Sequence, residues 1–251
     1  MTAPKNTPSK VRVGVMMEGV QLSDVIGIDI LGNLSTDFVA AAIAVSPAHA
    51  DFAGLGVPFE FFYMATTLEP ATVLPSLRFV PNVTYDSCPR DLDIVIMGGP
   101  YMHHRPPQAD KFMKEAWGKV RVWMSTCMGS LWLASSGVLE GKGLKATTNR
   151  MMLDVARGVY PGVEWVEQRW VVQEKEYDGE GKGELWTSGG AGCGIDMIAT
   201  YALKNYDEKF VRVLALDSLE FDLEQSHTQF YNTEHFRYPK YIPKLPGNSE
   251  S

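Results

Sequence analysis

After Asp93, Ile94-Val95-Ile96-Met97 is an uninterrupted apolar run that passes straight into Gly98-Gly99-Pro100. A run of strand length without polar alternation belongs to a strand covered on both faces, the setting of a parallel sheet flanked by helices. The glycine turn then falls at the carboxyl end of that strand. The same rhythm recurs along the chain. Val11 to Met16 predicts a first buried strand, ending in Glu18-Gly19. Behind Ser23-Asp24, with Ser23 as a candidate cap, Val25, Ile26, Ile28, Ile30, Leu31 and Leu34 recur at helical spacing. Further helices are predicted over 36–45, 108–117, 129–136, 151–160, 195–204 and 208–220, with strands over 59–66 and 120–124 and a loop over 46–58. Residues 163–175 and 184–187, joined by a glycine-rich charged turn, predict an antiparallel hairpin. This order of elements predicts an α/β fold, a mostly parallel central sheet with helices on both faces and a small antiparallel hairpin.

The chain has 251 residues, 45% hydrophobic and 21% charged, enough for one substantial core. A single domain is expected over 11–232, after a disordered lead-in at 1–10 and before a Pro-containing tail at 233–251. The formal net charge of -7 argues against a nucleic-acid or anionic-membrane surface, since both require a basic patch. Apolar stretches such as Phe38 to Val45 fall far short of the ~20 residues of a membrane-spanning helix. Cys88, Cys127 and Cys193 are an odd, widely spaced set without metal-ligand spacing, as expected of free thiols in the reducing cytoplasm. A small molecule is the expected partner.

In open α/β sheets ligands bind beyond the carboxyl ends of the strands, which directs attention to the turns after the first, the Ile94 and the Val120 strands. The third of these is Ser125-Thr126-Cys127-Met128-Gly129-Ser130, which puts a cysteine between strand and helix like a nucleophile elbow. The N–H groups and dipole of the following helix would lower the thiol pKa and leave Cys127 ionised at neutral pH. The plainer reading is a buried small residue. Gly98 and Gly99 would admit backbone N–H groups to a developing negative charge and, with the N–H of Met128, form an oxyanion-hole-like cradle, or merely make a tight turn. His103 and His104 follow at once, within reach of such a pocket or simply facing solvent. Adjacent histidines without matching partners do not make a ligand set, so no metal is expected.

The segment from Ser125 to Asn149, including Cys127-Met128-Gly129-Ser130-Leu131-Trp132-Leu133-Ala134 and Gly141-Lys142-Gly143-Leu144-Lys145-Ala146-Thr147-Thr148-Asn149, resembles the nucleophile region of the ThiJ/PfpI superfamily. The isocyanide hydratase branch is the best match. Glu18-Gly19-Val20-Gln21-Leu22-Ser23-Asp24-Val25-Ile26-Gly27 and Thr187-Ser188-Gly189-Gly190-Ala191-Gly192-Cys193-Gly194-Ile195-Asp196-Met197 agree in order and spacing. The resemblance implies a flavodoxin-like three-layer sandwich of the class I glutamine amidotransferase type, usually a homodimer. It also implies that an acidic residue after the first strand, here Asp24, touches the elbow cysteine. A carboxyl in such a poorly solvated place should have a raised pKa and be able to carry a proton. Capping of the following helix is the alternative role.

The chain also departs from the pattern. Met128 stands where related proteases and amidotransferases place histidine, which disfavours a Cys-His protease and glyoxalase chemistry, and where isocyanide hydratases commonly carry threonine. The leading expectation is a cofactor-free hydratase or lyase in which Cys127 attacks a small electrophile and Asp24 shuttles the proton. The alternatives are a tailoring enzyme of a secondary-metabolite pathway, performing cyclisation, elimination or hydrolysis, and a non-enzymatic cysteine redox sensor or chaperone.

Overall fold

The computed structural model describes residues 10–221 and 229–231. The expected lead-in up to residue 9 and the expected tail at 233–251 lie outside the described residues. Seven strands form the main sheet: β1 (Val11–Met16), β2 (Phe59–Ala65), β3 (Val83–Thr84), β4 (Ile94–Met97), β5 (Val122–Thr126), β6 (Trp170–Lys175) and β7 (Gly183–Ser188). Their order across the sheet is β6-β7-β5-β4-β1-β2-β3. All neighbours are parallel except β6 and β7, which form the antiparallel hairpin at one edge. The chain builds outward from β1 to one side, then returns to build the other, so the topological switch lies between β1 and β4.

Every residue of β4 and β5 is buried, as strands covered on both faces must be. Around them pack α1 (Ile28–Gly32), α2 (Thr36–Val45), α3 (Pro107–Ala116), α4 (Gly129–Ser135), α5 (Leu153–Val159) and α6 (Ala191–Asn205). Trp123 on β5, Trp132 on α4, Trp186 on β7 and Tyr201 on α6 are among the largest fully buried side chains. Among the described residues no helix is long and apolar enough to cross a membrane.

Several elements differ from the sequence reading. The helix expected to start at Ser23 is broken into a 3-10 turn at Leu22–Asp24 and the short α1, and no side chain caps either piece. The last expected helix is one short α-turn at Glu208–Phe210, a π-helical stretch at Val211–Leu216 and a 3-10 turn at Asp217–Leu219. An unanticipated hairpin, Ala71–Val73 with Leu77–Phe79, packs over the turn after β1. Gly19 N donates to Thr72 O at 2.8 Å, Leu74 N to Val20 O at 2.8 Å and Leu22 N to Leu74 O at 3.1 Å. These bonds tie down the turn that carries Asp24.

Candidate active site

The register of the sheet brings three turns together. Met16 pairs with Met97 and Met97 with Ser125, so β1, β4 and β5 end level, side by side. The turns that follow carry Asp24, Gly98-Gly99 and Cys127, at the switch point where an open α/β sheet forms its crevice.

Cys127 joins β5 to α4 in the left-handed conformation, with φ of 59°. A non-glycine residue held there costs on the order of 1–3 kcal/mol and needs surrounding structure to enforce it. Its N–H donates to Gly189 O at 2.6 Å and Ser188 O at 3.2 Å, while its carbonyl accepts from Thr148 Oγ1 at 2.8 Å and Ser130 Oγ at 3.3 Å. The strained turn is thus clamped by the β7–α6 turn on one side and the 147–149 segment on the other, and the sulfur is left facing Asp24 and Asn149.

Asp24 is 2% exposed, and its Oδ2 accepts the N–H of Gly99 at 2.9 Å. Its carboxyl therefore reaches across to the neighbouring strand end instead of capping a helix. Burial raises its pKa to about 6, against the opposing pull of the Gly99 N–H and of Cys127. Each of the two groups shifts the other's ionisation, yet Oδ1 has no partner with full hydrogen-bond distance and angle. The resting contact between carboxyl and thiol is loose. Such contacts commonly tighten only when substrate is bound.

Burial, followed by the negative charge of Asp24, pushes the Cys127 thiol up to about 11, while the Asn149 amide and the Met128 N–H pull it down. Both effects oppose the thiolate that the helix N-terminus alone predicts, and they favour the proton on sulfur with the charge on Asp24. One dry pocket holds one negative charge, and the Gly99 N–H anchors it on the carboxylate.

Of the N–H groups expected to form an oxyanion cradle, that of Gly99 is taken at rest by the Asp24 carboxylate, and that of Met128 lowers the pKa of the Cys127 thiol. The glycines instead permit close approach. A Cβ at Gly98 would lie 2.9 Å from Asp24 Cβ, and one at Gly99 would lie 2.7 Å from Met128 N and 3.1 Å from Asp24 Oδ2. Gly99→Ala should accordingly cost about 1–3 kcal/mol by overpacking, lowering the melting temperature by roughly 3–10 °C. Unchanged thermal unfolding would show that the turn can relax.

The two histidines do not join this group. His103 is exposed and stacks on Tyr101 at 5.5 Å between ring centroids. The His104 ring lies against Gly19 and edge-on to Trp132, at 5.8 Å between centroids. The charges it feels are those of Glu18, Arg105 and His103, none of them a member of the Cys127–Asp24 pair.

Sequence reasoning missed Asn149, whose Nδ2 donates to Cys127 Sγ at 3.3 Å. It also missed Tyr231, whose hydroxyl fills the space beside Gly189 and lies 3.9 Å from Cys193 Sγ, its ring under the Arg150 guanidinium at 3.7 Å. Cys88 is 3% exposed, and burial pushes its thiol up to about 12. All three cysteines are free thiols. Among the described residues no group of three or more His, Cys, Asp or Glu is arranged to hold a metal.

Residues 45–202 match the DJ-1/PfpI family. Over 142 residues the chain is 32% identical to isonitrile hydratase from Pseudomonas putida, an alignment that covers 54% of this chain and 54% of that protein. The chain thus matches about half the length of that relative. A ThiJ/PfpI family protein from Pseudomonas syringae superposes with a TM-score of 0.62 at 21% identity, covering 89% of this chain and 77% of the other. DJ-1beta of Drosophila melanogaster gives 0.57 at 15% identity, with 84% and 98% covered. Both structural likenesses are likenesses of fold.

Proposed function

Because this chain belongs to the DJ-1/PfpI family, we propose that it is a cofactor-independent, cysteine-dependent hydratase of small neutral electrophiles, with isocyanides as the substrate class. The observation that carries this reading is the pairing of a clamped elbow thiol with a buried carboxylate whose pKa lies near the working pH. A proton carrier is most effective there, because it can both take and return a proton. The similarity to a protein named isonitrile hydratase supports the substrate class. The causes that shift the two groups include the negative charge of Asp24 and no cationic side chain, an environment that suits a neutral substrate better than an anionic one.

The proposed reaction balances without an oxidant or cofactor. As Cys127 Sγ bonds to the terminal isocyanide carbon, its proton passes to the Asp24 carboxylate. Asp24 then delivers that proton to the same carbon, leaving a thioimidate, R–N=CH–S–Cys127. Water adds to this carbon, a proton moves to nitrogen, and the C–S bond breaks to release the N-substituted formamide and restore the thiol. Since the proton starts on sulfur, the carboxylate acts first as base and then as acid.

The test is turnover of an aryl isocyanide to its formamide, with methylglyoxal run in parallel. Formamide production without methylglyoxal consumption is the expected result. A protein that turns over neither, while its Cys127 still alkylates, would sink the hydratase reading in favour of a tailoring reaction or a redox role.

A further inference from the structure

Asn149 is held so that only one end of its amide can face the elbow. It caps the 3-10 turn at Arg150–Met152, and its Oδ1 accepts the N–H of Met151 at 3.1 Å. With the oxygen so engaged, Nδ2 is the end that points to Cys127 Sγ, at 3.3 Å. The preceding residue, Thr148, holds the Cys127 carbonyl at 2.8 Å, and Thr147 N donates to Thr187 Oγ1 at 2.9 Å. The 147–149 segment is therefore fastened both to the elbow and to β7, and the amide is aimed by a rigid frame.

This gives the proton-sharing pair two opposed donors. The Gly99 N–H favours the negative charge on Asp24 and the Asn149 amide favours it on sulfur. A neutral amide is suited to the second task, because it donates at every pH and adds no charge to a pocket that already holds one. We infer that Asn149 is a catalytic residue of this site, the fixed donor that stabilises negative charge on Cys127 Sγ when the thiol proton crosses to Asp24. The inference deepens the proposed hydratase reading, since a sulfur nucleophile and a sulfur leaving group both pass through that charge.

The other charged groups around the elbow leave this role to the amide. The Glu18 carboxylate accepts from Thr66 N and Oγ1, Arg150 pairs with Glu167, and Arg169 pairs with Asp196 near Cys193. Asp24 is the one titratable group among them that shifts Cys127, and it shifts it upward. Asn149 is the side chain that opposes this shift.

Two substitutions separate the donor from the cap. Asn149→Asp keeps an oxygen for Met151 N–H but replaces the donor with a second carboxylate, whereas Asn149→Ala removes both donor and cap. The readout is the rate of iodoacetamide labelling of Cys127 against pH, followed by mass spectrometry of its peptide, with melting temperature measured alongside. At pH 8 the rate is expected to fall about tenfold in Asn149→Ala, the equivalent of one pKa unit, and by more in Asn149→Asp. Labelling at the wild-type rate in Asn149→Asp would overturn the inference, as would loss confined to Asn149→Ala, which would assign the residue to the cap. Labelling requires no isocyanide, so the inference and the hydratase reading can fail separately.

Discussion

Cys127→Ala is expected to abolish isocyanide turnover, a loss on the order of four powers of ten or more, because the sulfur that forms the covalent adduct is gone. The variant should remain folded. The clamps on the elbow are backbone and hydroxyl bonds from Gly189, Ser188, Thr148 and Ser130, and none of them uses the sulfur. Alanine keeps the positive φ at a similar cost, so the melting temperature should move by no more than a few degrees. Turnover at a tenth of the wild-type rate in a well-folded Cys127→Ala protein would exclude covalent attack. It would leave Asp24 and its surrounding amides to activate water directly.

Much of this site is legible in the sequence for one physical reason: a buried parallel sheet places its chemistry at strand ends, and strand ends are marked by abrupt changes of residue type. Ile94 to Met97 passing into Gly98-Gly99, and Val120 to Met124 passing into Ser125-Thr126-Cys127, show such changes. The antiparallel hairpin is legible as well, from a glycine-rich charged turn between two alternating segments. What escapes are effects of packing between distant segments. Nothing local to Asn149 reveals that its amide meets a sulfur 22 positions earlier. The hairpin at 71–79 has strands of three residues, too short for a periodic signal, yet it fixes the turn that carries Asp24. What opposes the thiolate is hidden in the sequence, because the elbow motif makes the helix N-terminus visible and leaves the depth of the pocket out of view. Burial and the facing carboxylate are the two largest effects on Cys127, and both oppose the thiolate.

Asp24→Asn should separate function from stability. Without a proton carrier, turnover is expected to fall by roughly 100-fold to 10,000-fold, the range associated with general acid–base groups. Stability should move the opposite way. The carboxyl's pKa rises from an ordinary 3.8 to about 6 in the folded protein, so folding favours its protonated form. A raised carboxyl pKa leaves stability untouched below pH 4 and reduces it progressively as pH climbs to 6, above which the full penalty applies. Two units correspond to about 3 kcal/mol, part of which is offset in the variant by the weaker bond from Gly99 to a neutral acceptor. Asp24→Asn is therefore expected to be more stable than wild type by about 1–3 kcal/mol at pH 7, a gain of roughly 3–10 °C in melting temperature that shrinks toward zero at pH 4. The same substitution removes the charge that opposes the thiolate, so Cys127 should alkylate faster at pH 8 while catalysis is lost. A variant slower in both assays would show that Asp24 activates the sulfur even toward an added alkylating agent. A stability difference independent of pH would show that the buried charge is not what Asp24 contributes to folding.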